Sequence, residues 1–515
     1  MSASAAGDEV FHPVANKGAI TASVMLATIM QVLDTTIANV ALPHMQGSLN
    51  ASTDTVTWVL TSYIVAAAIM TPMTGWLADR FGRKRLLMVS IAGFTMASMA
   101  CGLATSLPEM VLYRLIQGLC GAALAPMAQA VLLDINPREQ HGQAMAVYGA
   151  GIMVAPIIGP TLGGWLTESF NWRYVFFVNL PVGILAFTGV LIFLPHGTTR
   201  KRRFDIFGFA MLSLAIGALQ MLLDRGETLD WFSSMEIWIE AGLTVCGLWI
   251  FVVHSMTAEN TFIDMSIFKD RNLTMGLVFI FIIGIVLLAS LALLPPMLQN
   301  LMGYPVMTTG LVMAPRGVGT MISMILVGRL VRRVDPRLLV LGGLLLTIVS
   351  LYMMTGFTPN MTAWPVITSG VVQGFGLGFV FVPLTTLTFA TLPGHFRGDG
   401  TSLYSLLRNV GSSIGISIVS TLLVQETQIN HMEIGSHLTP FRNAVVSQAP
   451  GLLTGDPMTL ARINGEVTRQ AAMIGYIDDF MLMVFVSLAA IPIVFFLRAP
   501  KYGKSDDHSA AAAME

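Results

Sequence analysis

The chain has 515 residues, of which 54% are hydrophobic and only 11% charged, with a net charge of −1 and a mean hydropathy of +0.71. Soluble globular domains carry about 25% charged residues, so this composition excludes a soluble enzyme or binding module and calls for a chain whose solvent is largely lipid. No basic tract suits nucleic acid, and Cys101, Cys120 and Cys246 sit in apolar stretches without the spacing of a disulfide framework or a metal site.

A membrane-crossing helix needs about 20 mostly apolar residues. Met1–Lys17 is polar and lacks a cleavable signal pattern, so span 1 is expected to serve as the insertion signal. Fourteen segments qualify: 19–42, 55–77, 86–106, 109–134, 142–167, 173–195, 206–224, 236–256, 274–298, 306–331, 338–357, 363–391, 400–424 and 476–497. Long continuous runs predict helices, not the alternating strands of a membrane barrel. An even count places both termini on one side, and the Lys and Arg bias says which. With cytoplasmic termini, the inner loops hold roughly 20 of the 28 Lys and Arg, including Arg200, Lys201, Arg202, Arg332, Lys501 and Lys504. Arg173, Arg225, Arg442, Arg462 and Arg469 fall outside.

Span 1 carries Asp34 within Leu33–Pro43, with Asn39 a little further on. An intramembrane carboxylate costs several kcal/mol unless it is paired, hydrated or protonated, and it is suited to carrying a proton across the bilayer. The loop after span 2 reads Gly75-x-Leu-Ala-Asp79-Arg80-x-Gly82-Arg83-Lys84. Its glycines permit a tight turn, and Asp79, which can cap a helix end or pair with an arginine, suits an inner gate; a merely basic, topology-fixing loop is the alternative. Arg114 in span 4, near Gln117, is expected at a depth close to that of Asp34. The two would communicate directly or through water, unless Arg114 merely snorkels to the interface. Span 5 carries Pro156, Gly159, Pro160, Gly163 and Gly164, which fits a hinge or a close helix seam. Trp172–Pro181 reads as an aromatic interface anchor. Glu240 in span 8, Arg316 in span 10, Gln373 in span 12 and Arg408 in span 13 are further cavity candidates; Glu240 also suits an interfacial position. Asp478 and Asp479 are placed at the outer mouth of span 14. The outer segment 425–475 is either a disordered loop or a docking surface for another protein, with 451–464 partly helical. No catalytic cluster, phosphate loop or cofactor motif stands out, so no enzyme activity, cofactor or metal is expected.

The chain repeats itself. Gly75–Lys84 is echoed by Gly328–Arg337, Leu42-Pro43 by Leu294-Pro295, and Gln117-Gly118 by Gln373-Gly374, at offsets that drift slowly upward from about 252. Two six-helix halves follow, 19–195 and 274–497, with spans 7 and 8 as a hairpin inserted in 196–273. Parallel repeats of this kind describe the major facilitator architecture, whose substrate site lies near the midplane between the halves. Val286 stands opposite Asp34 and Gly370 opposite Arg114, so the charged chemistry is concentrated in the first half.

Taken together, Leu33–Pro43, Gly75–Lys84, Arg114 with its glycines, Ala155–Gly164 and fourteen spans resemble the fourteen-span drug:proton antiporters of the major facilitator superfamily, the EmrB/QacA group. Leu223–Gly226 with Leu229–Ser234, and the long loop between spans 13 and 14, add to that resemblance. It implies a proton-coupled exporter of hydrophobic toxic compounds in a bacterial inner membrane, working with a periplasmic adaptor (a membrane fusion protein) and a TolC-like outer-membrane channel. It also implies Asp34 as proton or substrate carboxylate, Arg114 as relay, and Asp79 with Arg83 as gate. Arg332 and Asp335 depart from the gate pattern in the second half. The alternative of the same fold is a proton-independent facilitator or a specific metabolite transporter.

Overall fold

The computed structural model describes residues 16–196, 199, 203–258, 261–331, 333–438 and 456–498. The inner-loop cations Arg200, Lys201, Arg202 and Arg332, the tail residues Lys501 and Lys504, and Arg442 of the outer loop lie outside these ranges. Among the described residues the ordered elements are helices and no strand is present. All fourteen expected spans are there. Span 1 is Lys17–Ser48, span 3 Arg83–Leu103, span 4 Leu107–Ile135, span 5 His141–Ser169 and span 6 Tyr174–Phe193. Span 2 is a pair, Trp58–Met70 and Met73–Phe81, bent by 58°. The bend follows Pro72, which stands at the N-cap of the second piece and removes a backbone donor. Spans 7 and 8 are Ile206–Arg225 and Met235–Thr257; spans 9 to 12 are Arg271–Leu301, Val306–Leu330, Pro336–Met354 and Trp364–Phe389.

Spans 13 and 14, Gly394–His437 and Pro457–Val494, depart from expectation in length. A 44-residue helix is about 66 Å long at 1.5 Å per residue, twice the thickness of a hydrocarbon core. The expected outer loop of 425–475 is thus helical up to His437 and again from Pro457, where Asp456 accepts from the Thr459 amide. Residues 439–455 lie outside the described ranges.

Helix starts at the basic end are capped by aspartates. Asp205 accepts from the Gly208 amide at 2.8 Å, Asp270 from Leu273 at 2.9 Å and Asp335 from Arg337 at 2.9 Å. Each satisfies an amide that the helix leaves unpaired, close to where lipid gives way to water.

Span 1 packs against spans 5 and 6, span 4 against spans 2 and 3, and span 6 against span 3. In the second group span 9 packs on span 13, span 12 on spans 10 and 11, and span 14 on spans 11 and 13. Spans 5 and 10 join the groups side by side. At the basic end span 13 also lies against spans 2 and 4. Span 8 packs on span 7, while span 7 reaches both groups, touching spans 2 and 13. Its end is fastened on each side. Asp224 accepts from Thr61 of span 2, the Leu223 carbonyl accepts from Ser417 of span 13 at 2.9 Å, and Trp231 Nε1 donates to Thr421 at 3.1 Å.

Candidate functional site

Asp34 is fully buried in span 1. Its Oδ2 lies 2.6 Å from Arg114 Nη1, so the two charges meet directly. Its Oδ1 accepts from Gln117 Nε2 at 2.8 Å and from Asn179 Nδ2 at 2.7 Å. Three donated hydrogen bonds, one from a guanidinium, occupy a group that is acceptor-only when ionised. Arg114 is held in turn: Nε donates to the Val59 carbonyl at 2.9 Å, Nη1 donates also to Gln117 Oε1 at 2.8 Å, and the guanidinium lies 4.4 Å from the Tyr63 ring centroid. Asn179 ties the cluster to span 3 by donating to Ser98 Oγ at 2.9 Å. Spans 1, 2, 3, 4 and 6 thereby converge on one carboxylate. An ion pair of this kind is worth roughly 4 kcal/mol at 4 Å with an effective dielectric of 20, against a desolvation cost of several kcal/mol per ion. The surrounding hydrogen bonds are what make the burial tolerable. Asn39 is exposed and is not among the groups bonded to Asp34.

Span 5 presses its glycines onto the helix that carries Asp34. A Cβ on Gly159 would stand 2.3 Å from Thr36 Oγ1, and one on Gly163 would stand 3.0 Å from Ile37 Cγ2 and 3.3 Å from its Cα. Close approach therefore requires glycine at both positions. Pro160 and Ile157, on the other side, face Gly310 and Gly317 of span 10. One stretch of span 5 thus touches both the Asp34 helix and the second group. The helix is interrupted at Met153, three residues before Pro156. A Cβ at Gly164 would meet nothing within 4 Å.

At the basic end the loop after span 2 turns on Gly82, whose φ of +85° suits glycine. Gly75 lies against the start of span 13, where a Cβ would come within 3.0 Å of Asp399 Cα. Thr74 Oγ1 and Ser402 Oγ are 2.6 Å apart. Arg83 pairs with Asp134 at the end of span 4, and the same carboxylate accepts from Arg397 of span 13 at 3.0 Å. Asp134 therefore links a first-half cation to a second-half cation. Asp79 is half-buried in the same turn and Arg80 is exposed.

In the second half, Arg316 is 5% exposed and its Nη2 donates to Ser290 Oγ at 3.3 Å and to the Leu287 carbonyl at 3.5 Å. Gln373, 1% exposed, donates from Nε2 to the same Ser290 Oγ at 3.1 Å. Arg408 is half-buried on span 13. Glu240 is buried in span 8, whose main partner is span 7, so it stands apart from the Asp34 cluster. Asp479 is not at an open mouth but buried within the long helix of span 14, at 1% exposure. Trp172 and Phe176, expected at the interface, are also buried, while Tyr174 is exposed.

The expectations from sequence omitted Asn179, Ser98, Asp134, Arg397 as a partner of Asp134, and Asp399. Asp134 had a signal, since an acid closing an apolar helix beside a basic loop needs a partner. Asn179 had little, because a single amide at a helix start is common.

A family model described as Major Facilitator Superfamily matches residues 24–416. The fatty acid resistance protein FarB of Neisseria gonorrhoeae is 37% identical, over 95% of this chain and 97% of its own length. The multidrug export protein EmrB of Escherichia coli (strain K12) is 36% identical, over 93% of this chain and 95% of its own. Among solved structures, the human organic anion transporter MFSD10 (TETRAN) covers 92% of this chain and 99% of its own with a TM-score of 0.60 at 13% identity. The proton:xylose symporter XylE covers 92% and 96%, at 0.57 and 14%. At those identities the two solved structures speak for the fold. With the paired bundles, the inserted hairpin and these relatives in view, the chain belongs to the major facilitator superfamily and, within it, to the EmrB-type transporters.

Proposed function

We propose that this protein is a proton-coupled multidrug exporter that moves hydrophobic toxic compounds out of a bacterial cell by alternating access. The observation that carries the proposal is the buried Asp34–Arg114 pair, with Gln117 and Asn179 completing it. A proton on Asp34 weakens its hold on Arg114, so proton uptake and helix movement are linked through one contact. Span 5 lies against this helix and against span 10, which gives a route from protonation to relative movement of the halves 19–195 and 274–497. Outward-facing, Asp34 takes a proton and substrate leaves; inward-facing, the proton leaves and substrate enters. The gate is the Arg83–Asp134–Arg397 link, with Asp79 and Gly75 in the same turn. The names of the two relatives, multidrug export and fatty acid resistance, supply the substrate breadth.

The excess of inner-loop Lys and Arg supports a bacterial inner membrane with both termini cytoplasmic. The helical extensions of spans 13 and 14 would then stand in the periplasm, as a surface for a membrane fusion protein that continues to a TolC-like channel.

The test is proton-driven efflux in vesicles by wild type and Asp34→Asn at matched expression. The expected outcome is that the variant binds substrate but loses at least ~90% of gradient-driven transport. Coupled transport that persists unchanged would remove Asp34 from the proton path. Substrate movement indifferent to the gradient in wild type would favour the facilitator reading.

A further inference from the structure

The inserted hairpin is fastened to its two neighbours in unlike ways. Spans 7 and 8 form one piece: a Cβ on Gly247 of span 8 would stand 3.1 Å from the Met211 carbonyl oxygen and from the Ala215 Cβ. Span 7 follows span 2 from end to end. At the basic end Phe204, just before span 7, lies 4.6 Å from Trp76 between ring centroids. Midway, a Cβ on Gly217 would stand 3.2 Å from Ile69 Cδ1. At the far end Thr61 donates to Asp224, and the Arg225 guanidinium lies 5.6 Å from the Trp58 ring centroid. The hydrogen bonds to span 13 sit at that far end. Ser417 donates to the Leu223 carbonyl at 2.9 Å, and Trp231 Nε1 donates to Thr421 at 3.1 Å. Both are neutral, whereas the contacts with span 2 use a carboxylate and a guanidinium, and charge-assisted contacts are the stronger. The neutral side is also strained. Asp230 and Trp231 are consecutive non-glycine residues with φ of +51° and +50°, a region that bulky side chains avoid. Strain of this kind gathers in regions that switch.

At the basic end the second piece of span 2 rests directly on span 13, with Thr74 against Ser402. Toward the far end span 7 fills the place between the first piece of span 2 and span 13. We infer that the hairpin is a strut carried by the first half: it keeps the far ends of spans 2 and 13 apart while the basic end is closed, and it lets go of span 13 when those ends come together. The inference rests on the alternating access proposed above. Spans 2 and 13 belong to different halves, so rocking the basic end open brings their far ends toward each other, and the hairpin tip stands in the way. The neutral, strained contacts of Leu223 and Trp231 are the ones that break. Asp224 and Arg225 stay with span 2.

The experiment fastens the tip to one span or the other in the full-length chain, reconstituted in vesicles with the three native cysteines replaced. A bifunctional methanethiosulfonate joins Trp231→Cys to Thr421→Cys, or Thr61→Cys to Asp224→Cys. Opening of the basic end is read by peptide mass as maleimide modification of a further substitution, Ser402→Cys, at a position buried against Thr74 in the closed state. The link to span 13 should slow that modification roughly fivefold or more, with recovery on reduction, and the link to span 2 should leave it unchanged. Removing the releasable contacts with Ser417→Ala and Thr421→Val should speed it roughly fivefold, the ratio for loss of one neutral hydrogen bond from one state. That arm needs no cross-link, so it decides the matter if a cysteine pair does not fold or join. Equal rates with and without the span 13 link, slowing by the span 2 link as well, or a rate that does not rise in Ser417→Ala with Thr421→Val, each overturns the proposal. Efflux of Nile red, a neutral lipophile, by wild type under an imposed pH gradient tests the exporter reading separately. Its absence counts against that reading, and the modification rates do not depend on it.

Discussion

Asn179 shows how a neutral side chain sets the terms for a charged one. Its amide donates to both Asp34 Oδ1 and Ser98 Oγ, so it joins the buried carboxylate to a span that carries no charge of its own at this depth. Hydrogen bonds to charged groups contribute about 1.5–3 kcal/mol. Asn179→Leu is therefore expected to lower stability by that amount, and much less in an Asp34→Asn background, where the charge it serves is gone. Thermal unfolding of the four proteins in detergent closes the cycle, with an expected coupling of about 1–2 kcal/mol. Additivity to within about 0.5 kcal/mol would mean the contact carries no special energy. Asp34 and Arg114 were legible in the sequence because a charge among apolar residues announces itself. Asn179 and Ser98 were not, since amides and hydroxyls are ordinary in spans and their importance lies in which helix they meet.

At the scale of elements, the basic end is closed by contacts from both halves, and Asp134 is their common point. Its carboxylate is about one-third exposed, so each ion pair is worth no more than about 1 kcal/mol after screening. As the proposed gate, such a link is weak enough to break in every transport cycle. Asp134→Asn removes the charge that Arg83 and Arg397 share and should open this end more often, by roughly fivefold for a loss of about 1 kcal/mol. A Ser402→Cys reporter checks it, because Ser402 is buried against Thr74 in the closed state. With the three native cysteines replaced, its maleimide labelling should speed up several-fold in Asp134→Asn, and an unchanged rate would remove Asp134 from the gate. The motif Gly75–Lys84 marked this turn in the sequence as the place of the proposed gate. Its partners Asp134, Arg397 and Asp399 come from other helix ends, and only the bundle brings them together. Spans 13 and 14 show a different limit. Hydropathy reports contact with lipid, not helicity, so the polar turns up to His437 looked like loop, and of the stretch from Pro457 only the part up to 464 was expected to be partly helical. The inserted hairpin was legible as two spans, but its fastening to spans 2 and 13 was not, because that depends on Thr61, Ser417 and Thr421, hydroxyls with no pattern of their own.

At the scale of the molecule, charge is unevenly divided: the first half carries the buried Asp34–Arg114 pair, whereas buried Arg316 in the second half meets neutral acceptors among the described residues. The charge of the substrate has an electrical consequence in the proposed exchange. If one proton enters on Asp34 for each substrate that leaves, export of a neutral compound moves one positive charge inward. Export of a monoanion moves the equivalent of two, and export of a monocation moves none. One charge crossing 100 mV is worth about 2.3 kcal/mol, or about fiftyfold in an accumulation ratio at 1.4 kcal/mol per decade. Two charges give the square of that, on the order of 2,000-fold. The slope of log accumulation against membrane potential should therefore stand near two to one to zero for an anionic, a neutral and a cationic lipophile of matched tail. Proteoliposomes clamped with potassium and valinomycin, and loaded with decanesulfonate as an anion that does not cross lipid unaided, give the first of these slopes. A slope for the sulfonate equal to that of the neutral compound would mean that the anion leaves with a co-transported cation, and the one-proton exchange with a bare anion would be wrong.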